Sequence, residues 1–186
     1  MIKQEKDYLA KRKKAYASKS LLWATLVGSI FIIGWYVTQQ RANHFTLGAA
    51  ILVLPLALNV TRGMAYRKYR DADPKWAEVL EEMKGSYHLF HSVLIPDVTS
   101  ILNYEHVVVT SRAIYMITSD ETIKKETQAS IEAKLEAKGI AKKQCHVLLV
   151  KEIDALKKVV RKIEKDAFFV DEHLNQYSEM IEQMIM

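Results

Sequence analysis

Two uncharged apolar runs near the N-terminus constrain this chain more than any other feature. Residues 20–40 carry no charged side chain, and residues 21–37 would span about 26 Å as a helix, close to the ~30 Å hydrocarbon core of a bilayer. A second uncharged run occupies residues 45–61. Both runs are apolar all round, whereas a core helix of a soluble protein has one apolar stripe. They predict a transmembrane hairpin at residues 20–61, with spans at about 20–38 and 45–61.

A cleaved secretory signal is the alternative interpretation of the first run, because the basic residues 11–14 precede it. The run is longer than a signal core, no small-residue cleavage motif follows it, and a second apolar run comes at once. These observations favour the hairpin.

The distribution of Lys and Arg predicts the orientation of the hairpin. Seven basic residues stand in the N-terminal segment 1–19 and four in residues 62–70, whereas the connecting loop has Arg41 alone. Positive charge marks the cytoplasmic side, so we expect a multi-pass protein of the cell membrane with both termini cytoplasmic. Aromatic and basic side chains near the span ends are predicted to lie at the membrane interface: Trp23, Trp35, Tyr36, Arg62 and Arg67.

The formal net charge of +5 hides two opposite halves. Residues 1–70 hold 12 Lys and Arg against two acidic residues, whereas residues 71–186 hold 15 against 20. The basic excess therefore belongs to the membrane anchor, where it predicts attraction to anionic lipid headgroups. The acidic balance of the rest makes nucleic acid an improbable partner, because phosphate binding needs a basic surface.

The remainder predicts a cytoplasmic α/β domain. Residues 62–85 form a basic juxtamembrane segment and a short amphipathic helix, which Asp73 and Pro74 begin and Gly85 ends. From residue 86 to residue 186, β-rich runs and helical stripes alternate, which predicts a mixed sheet flanked by helices. Strands are predicted at 88–95, 101–110, 113–118, 146–150 and 167–170, and helices at 121–138, 153–163 and 174–184.

One part of this domain resembles a known family. Residues 88–120 read HLFHSVLIPDVTSILNYEHVVVTSRAIYMITSD and are similar to the NERD domain, a nuclease-related module of the restriction-endonuclease-like PD-(D/E)xK superfamily. That family shows a strand ending in a Leu-Pro-Asp-like turn, then an "iDHvvv" strand, then a "GiyviExK" strand. Residues 95–97, 104–109 and 113–120 occupy those places. The resemblance implies a restriction-endonuclease-like fold for the domain.

The departures from the family pattern decide the expected chemistry. In active members an Asp and a Glu hold a divalent metal that activates water, and a Lys assists the attack. Here Glu105 stands at the Asp position, Thr118 at the Glu position and Asp120 at the Lys position. We therefore expect no metal, no cofactor and no cleavage. Glu105 remains the candidate metal ligand and, with Asp97 or Asp120, the candidate catalytic set.

Other residue types give weaker signals. The six histidines are scattered, and Cys145 with His146 begins an apolar run that is typical of core packing. Ala24 and Gly28 are one helical turn apart, a spacing that would permit close packing of the two spans.

Three hypotheses for the function follow. The first is a non-catalytic, membrane-tethered interaction or scaffold module with a protein partner or a second copy of itself. The second is a metal-dependent nuclease that uses Glu105 with Asp97 or Asp120. The third is an accessory subunit of a membrane transport or secretion complex, in which the hairpin is the functional part.

Overall fold

The computed structural model describes residues 1–40, 42–97, 101–119, 123–169 and 173–185. For residues 123–127 it describes the backbone alone. The chain forms two compact units. One unit is the hairpin, residues 9–70. The other is an α/β unit that combines residues 71–186 with the first eight residues of the chain.

The hairpin unit consists of helix α1, Tyr8–Thr38, and helix α2, His44–Arg67. The prediction of two N-terminal apolar helices is confirmed. Each helix is long and apolar enough to cross a bilayer, and almost none of either apolar stretch is buried in the protein. Helix α1 begins twelve residues before the predicted span, because the Lys- and Ala-rich segment ahead of it favours helix.

The turn between the two helices is held by Asn43. Its Oδ1 accepts from the backbone N–H of Thr46 at 3.0 Å, and its Nδ2 donates to Thr38 Oγ1 at 2.8 Å. The close approach occurs at Gly34, where an added Cβ would lie 2.3 Å from the Cβ of Phe45. The expected contact at Gly28 is not formed, since no described atom lies within 4 Å of a Cβ built there.

The α/β unit contains a mixed five-stranded sheet in the order β1-β2-β3-β4-β5. Strands β2, β3 and β4 form an antiparallel meander, β1 pairs parallel with β2, and β5 pairs parallel with β4. The strands are Ile2–Gln4, His88–Pro96, Ile101–Val109, Ile114–Thr118 and Cys145–Leu149. The helices of this unit are α3 Pro74–Glu81, α4 Ile123–Ala137, α5 Ile153–Ala167 and α6 His173–Glu182, with a 3-10 turn at Lys142–Gln144.

A separate hydrophobic core lies on each face of the sheet. Alternate residues of β4 contribute to the two cores, with Met116 in one and Tyr115 in the other. Helices α4 and α6 cover the Met116 face, whereas α3 and α5 cover the Tyr115 face. The prediction of an α/β domain with helices flanking a mixed sheet is therefore confirmed. Ile181 on α6 is fully buried, which assigns the C-terminal apolar stripe to the core.

Two local features differ from the sequence prediction. The predicted last strand is wrong, because Ala167 ends α5 and the next two residues, Phe168 and Phe169, are exposed and outside any strand; Val170 lies outside the described residues. Conversely, the sequence analysis missed β1. Three residues are too few to show a period, and the pairing of β1 depends on an edge of β2 that is distant in the chain.

Candidate functional site

Strands β3 and β4 bring Glu105 beside the end of β4. His106 pairs with Ile117, so the next position along the ladder places Glu105 opposite Thr118. The hydroxyl of Ser119 donates a hydrogen bond to Glu105 Oε1. Burial raises the pKa of Glu105, the Ser119 bond opposes that effect, and the nearby carboxylate of Asp73 adds to it.

Thr118 is buried within the same ladder. It is 1% exposed, and its carbonyl accepts from the backbone N–H of Val150 at 2.9 Å. Its hydroxyl is a poor ligand for a hard cation. The positions that the resemblance assigns to the two carboxylates thus lie together, but they carry one carboxyl group and one hydroxyl.

Asp97 lies elsewhere on the sheet. It follows Pro96, which pairs with Ile101, and Ile101 is four residues from Glu105, about 13 Å along β3. Its carboxylate accepts from Ser130 Oγ at 2.7 Å and from Lys134 Nζ at 2.9 Å. The structure therefore holds Asp97 against α4 and does not bring it to Glu105. Asp120 lies outside the described residues.

The Glu105 region has the chemistry of a hydrogen-bonding site. Among the described residues, no group of three or more His, Cys, Asp or Glu side chains could hold a metal ion. No protein-family model matches this chain, and no curated protein or solved structure does. The Glu105 carboxyl can accept a hydrogen bond from a polar group, but its neighbours Ser119 and Asp73 do not complete a set of three His, Cys, Asp or Glu ligands among the described residues.

A buried histidine pair was missed by the sequence analysis. His91 on β2 and His106 on β3 are both 0% exposed, and their Nδ1 atoms are 2.8 Å apart. Glu81 Oε1 lies 3.4 Å from His91 Nε2. Burial lowers the pKa of His106 to about 3, with His91 adding to that effect. It also lowers the pKa of His91, against the opposing effect of Glu81.

The strand register was the signal that could have revealed this pair. The register that pairs Pro96 with Ile101 also places residue 91 opposite residue 106. An Nδ1 to Nδ1 contact requires one ring to donate and the other to accept, so two neutral rings satisfy each other. The pair therefore favours the neutral state of both rings.

Next to His91, Ser92 interrupts the regular strand. Its φ of 54° is left-handed, and its hydroxyl accepts from the backbone N–H of Ala72 at 2.9 Å. Its carbonyl accepts from Gln4 Nε2 at 3.3 Å. Ser92 thus ties β2 to β1 on one side and to the segment leading into α3 on the other.

The remaining predicted positions occupy simple environments. Trp35 and Tyr36 are 51% and 79% exposed at the end of α1, Trp23 is half-buried, and Arg62 and Arg67 are exposed on α2. Their place at a membrane interface stays a prediction. Cys145 is buried in the core that α4 and α6 cover, and burial raises the pKa of its thiol to about 12. That thiol is protonated near neutral pH.

Proposed function

We propose that this chain is a membrane-anchored, non-catalytic module of nuclease-like fold that binds a protein partner, or a second copy of itself, at the cytoplasmic face. The observation that carries the proposal is the Glu105–Ser119 hydrogen bond beside a buried Thr118. A PD-(D/E)xK site needs a second carboxylate there, and this chain supplies hydroxyls. The mixed sheet with helices on both faces supports a restriction-endonuclease-like fold.

The sheet topology also supports the membrane anchor. Strand β1 precedes the hairpin, whereas its partner β2 follows it, and both lie in one sheet. An open sheet edge is not stable in the hydrocarbon region of a bilayer, so two strands that pair in one sheet must lie on the same side of it. An even number of spans must therefore separate β1 from β2. Two spans satisfy that condition. Together with the excess of Lys and Arg on the same side, this arrangement favours cytoplasmic termini and contact with anionic lipid.

The topology predicts which engineered cysteines react from outside the cell. Ala42 is exposed in the turn, and it is preferable to Asn43, which caps α2. In a Cys145→Ala background, we expect Ala42→Cys to react with a membrane-impermeant maleimide in intact cells. The matched position, Lys84→Cys, is exposed in the α/β unit and should react only after permeabilisation. Labelling of Lys84→Cys in intact cells would contradict the proposed orientation, because it would place the α/β unit outside the cell.

The site geometry predicts an absence of nuclease activity. The purified full chain should not cleave single- or double-stranded DNA or RNA in millimolar Mg²⁺ or Mn²⁺, because Thr118 stands where a second metal-binding carboxylate is needed. Glu105→Gln is the matched variant, since it keeps the size of the side chain and removes the charge. Cleavage by the wild type that disappears in Glu105→Gln would overturn the proposal and favour the nuclease hypothesis.

A further inference from the structure

We infer that the cytoplasmic ends of α1 and α2 form a binding cleft for an anionic phospholipid, whose acyl portion lies along the apolar lining and whose phosphate lies at the outer end, beside Lys13 and Arg67. This inference rests on the proposed membrane anchoring and names the lipid contact that the anchor makes. The cleft has a volume of about 290 Å³ and lies wholly within the hairpin unit. Its walls include Lys13, Tyr16 and Ser20 on α1 and Val60, Gly63 and Arg67 on α2.

Aromatic contacts shape the floor of the cleft. Tyr16 of α1 stacks on Tyr66 of α2, with ring centroids 5.7 Å apart and planes at 16°. A Cβ added at Gly63 would lie 3.3 Å from the Cβ of Tyr16, so the glycine admits the tyrosine closely. The two helices are therefore fixed against each other at this level, and the cleft between them is formed without a ligand.

The two ends of the cleft match the two layers of a membrane leaflet. Ser20 and Val60 stand at the ends of the uncharged spans, which places them at the hydrocarbon boundary. Lys13 and Arg67 are each seven residues farther from the bilayer centre, about 10 Å along their helices. The headgroup layer of one leaflet is about 5–8 Å thick. The backbone of Lys13 and Arg67 thus lies just beyond the headgroup layer. The Arg67 side chain leans toward the start of α2, which is the bilayer side, and can reach the phosphates. The apolar end of the cleft lies beside the acyl chains.

The charges of the cleft select an anion. Residues 9–70 contain no Asp or Glu, so this unit supplies no counter-charge of its own. Lys13 Nζ donates to the carbonyl of Tyr69 at 2.5 Å, which fixes the position of the ammonium group. Arg67 is exposed, and a guanidinium can bind two phosphate oxygens at once. The apolar end favours a lipid over free phosphate, because an inorganic ion would leave it uncovered.

The test uses the full chain in detergent and counts bound lipid by native mass spectrometry. We expect retention of phosphatidylglycerol over phosphatidylcholine. Lys13→Gln with Arg67→Gln should weaken that retention about thirtyfold, since each direct hydrogen bond to the phosphate contributes on the order of 1 kcal/mol. The matched pair Lys14→Gln with Lys68→Gln removes the same charge from exposed positions outside the cleft and should change retention little.

A third variant separates loss of binding from loss of folding. Met64 also lines the cleft and is 65% exposed, so Met64→Trp fills the space without altering charge and should weaken retention of phosphatidylglycerol as well. Millimolar inorganic phosphate should not displace the lipid.

Four results would overturn the inference: equal retention of the two lipids, equal loss in the two charge-matched pairs, unchanged retention in Met64→Trp, or displacement by phosphate. All four leave the membrane anchor intact. Failure of the anchor itself would appear instead as recovery of the wild-type chain in the soluble fraction of cells.

Discussion

Replacing Gly85 with alanine is expected to lower the free energy of unfolding by about 2–5 kcal/mol, combining left-handed backbone strain with a steric clash. Gly85 has a φ of 111°, and an added Cβ would lie 2.7 Å from the carbonyl oxygen of Ala167. That oxygen belongs to the last turn of α5 and accepts from the backbone N–H of Ser86 at 2.7 Å. This hydrogen bond holds the backbone at Gly85 and the backbone at Ala167 together, so neither segment can move away without breaking it.

Gly139 provides the matched control for this prediction. Its φ is 90°, yet no described atom lies within 4 Å of a Cβ built there. Gly139→Ala should therefore cost only the left-handed strain, about 1–2 kcal/mol. Chemical unfolding of both variants in detergent, followed by circular dichroism, measures the difference. If the two variants lose the same free energy of unfolding, a Cβ at Gly85 does not clash with the carbonyl oxygen of Ala167.

Lowering the pH from 7 to 5 is expected to destabilise the α/β unit through the His91–His106 pair. The folded state lowers the pKa of His106 from 6.5 to about 3, so the unfolded chain binds more protons between those values. The stabilisation is complete above the unfolded pKa and is lost as the pH falls below it. At pH 5, His106 alone should reduce the free energy of unfolding by about 2 kcal/mol.

His91 should act in the same direction, because its pKa is also lowered. The charged groups that face it are Glu81 of α3, which raises its pKa, and Lys6 of the N-terminal segment, which lowers it.

His91→Leu combined with His106→Leu should remove most of the pH dependence, since apolar groups of similar shape replace both partners of the buried hydrogen bond. Glu81 loses its contact with His91 but remains partly exposed to water. Burial lowers the pKa of His88 and of His146 as well, so a smaller slope should remain. Unfolding curves at pH 7, 6 and 5 give the slopes, and an unchanged slope in the double variant would contradict the assignment.

Local signals in the sequence were sufficient for most of the fold. Asp73 accepts from the backbone N–H of Lys75 at 2.9 Å, as its position before Pro74 predicted. Helix caps and turns depend on residues that are neighbours in the sequence, and the spacing of apolar residues shows which face of a helix or strand is buried. Both can therefore be predicted from the sequence. The wrong prediction of a strand at Phe168 and Phe169 arose because a strand depends on residues that are distant in the sequence. An apolar pair predicts a strand only if a neighbouring strand is present to receive it, and both side chains are exposed.

The candidate site depended more on long-range contacts. The resemblance named Glu105 and Thr118 as positions of the site, but it did not predict that they would lie side by side, which the pairing of β3 with β4 brings about. It gave no role to Ser119, whose hydroxyl now holds Glu105. It also could not show that Asp97 pairs with Lys134. Those two residues are 37 positions apart, and only the packing of α4 against the sheet brings them together.

The pairing of β1 with β2 has a consequence for biosynthesis. Ile2 pairs with Leu89, so a ribosome completes β1 long before its partner strand exists. In a chain that spans the membrane, both helices must be inserted between those two events. A chain that inserts only one helix would leave β1 on the opposite side of the bilayer. The edge of β2 would then stay open, and an open edge is a template for aggregation and a sign of misfolding. In such a chain, completion of the sheet would therefore distinguish molecules that have inserted both helices from molecules that have inserted one.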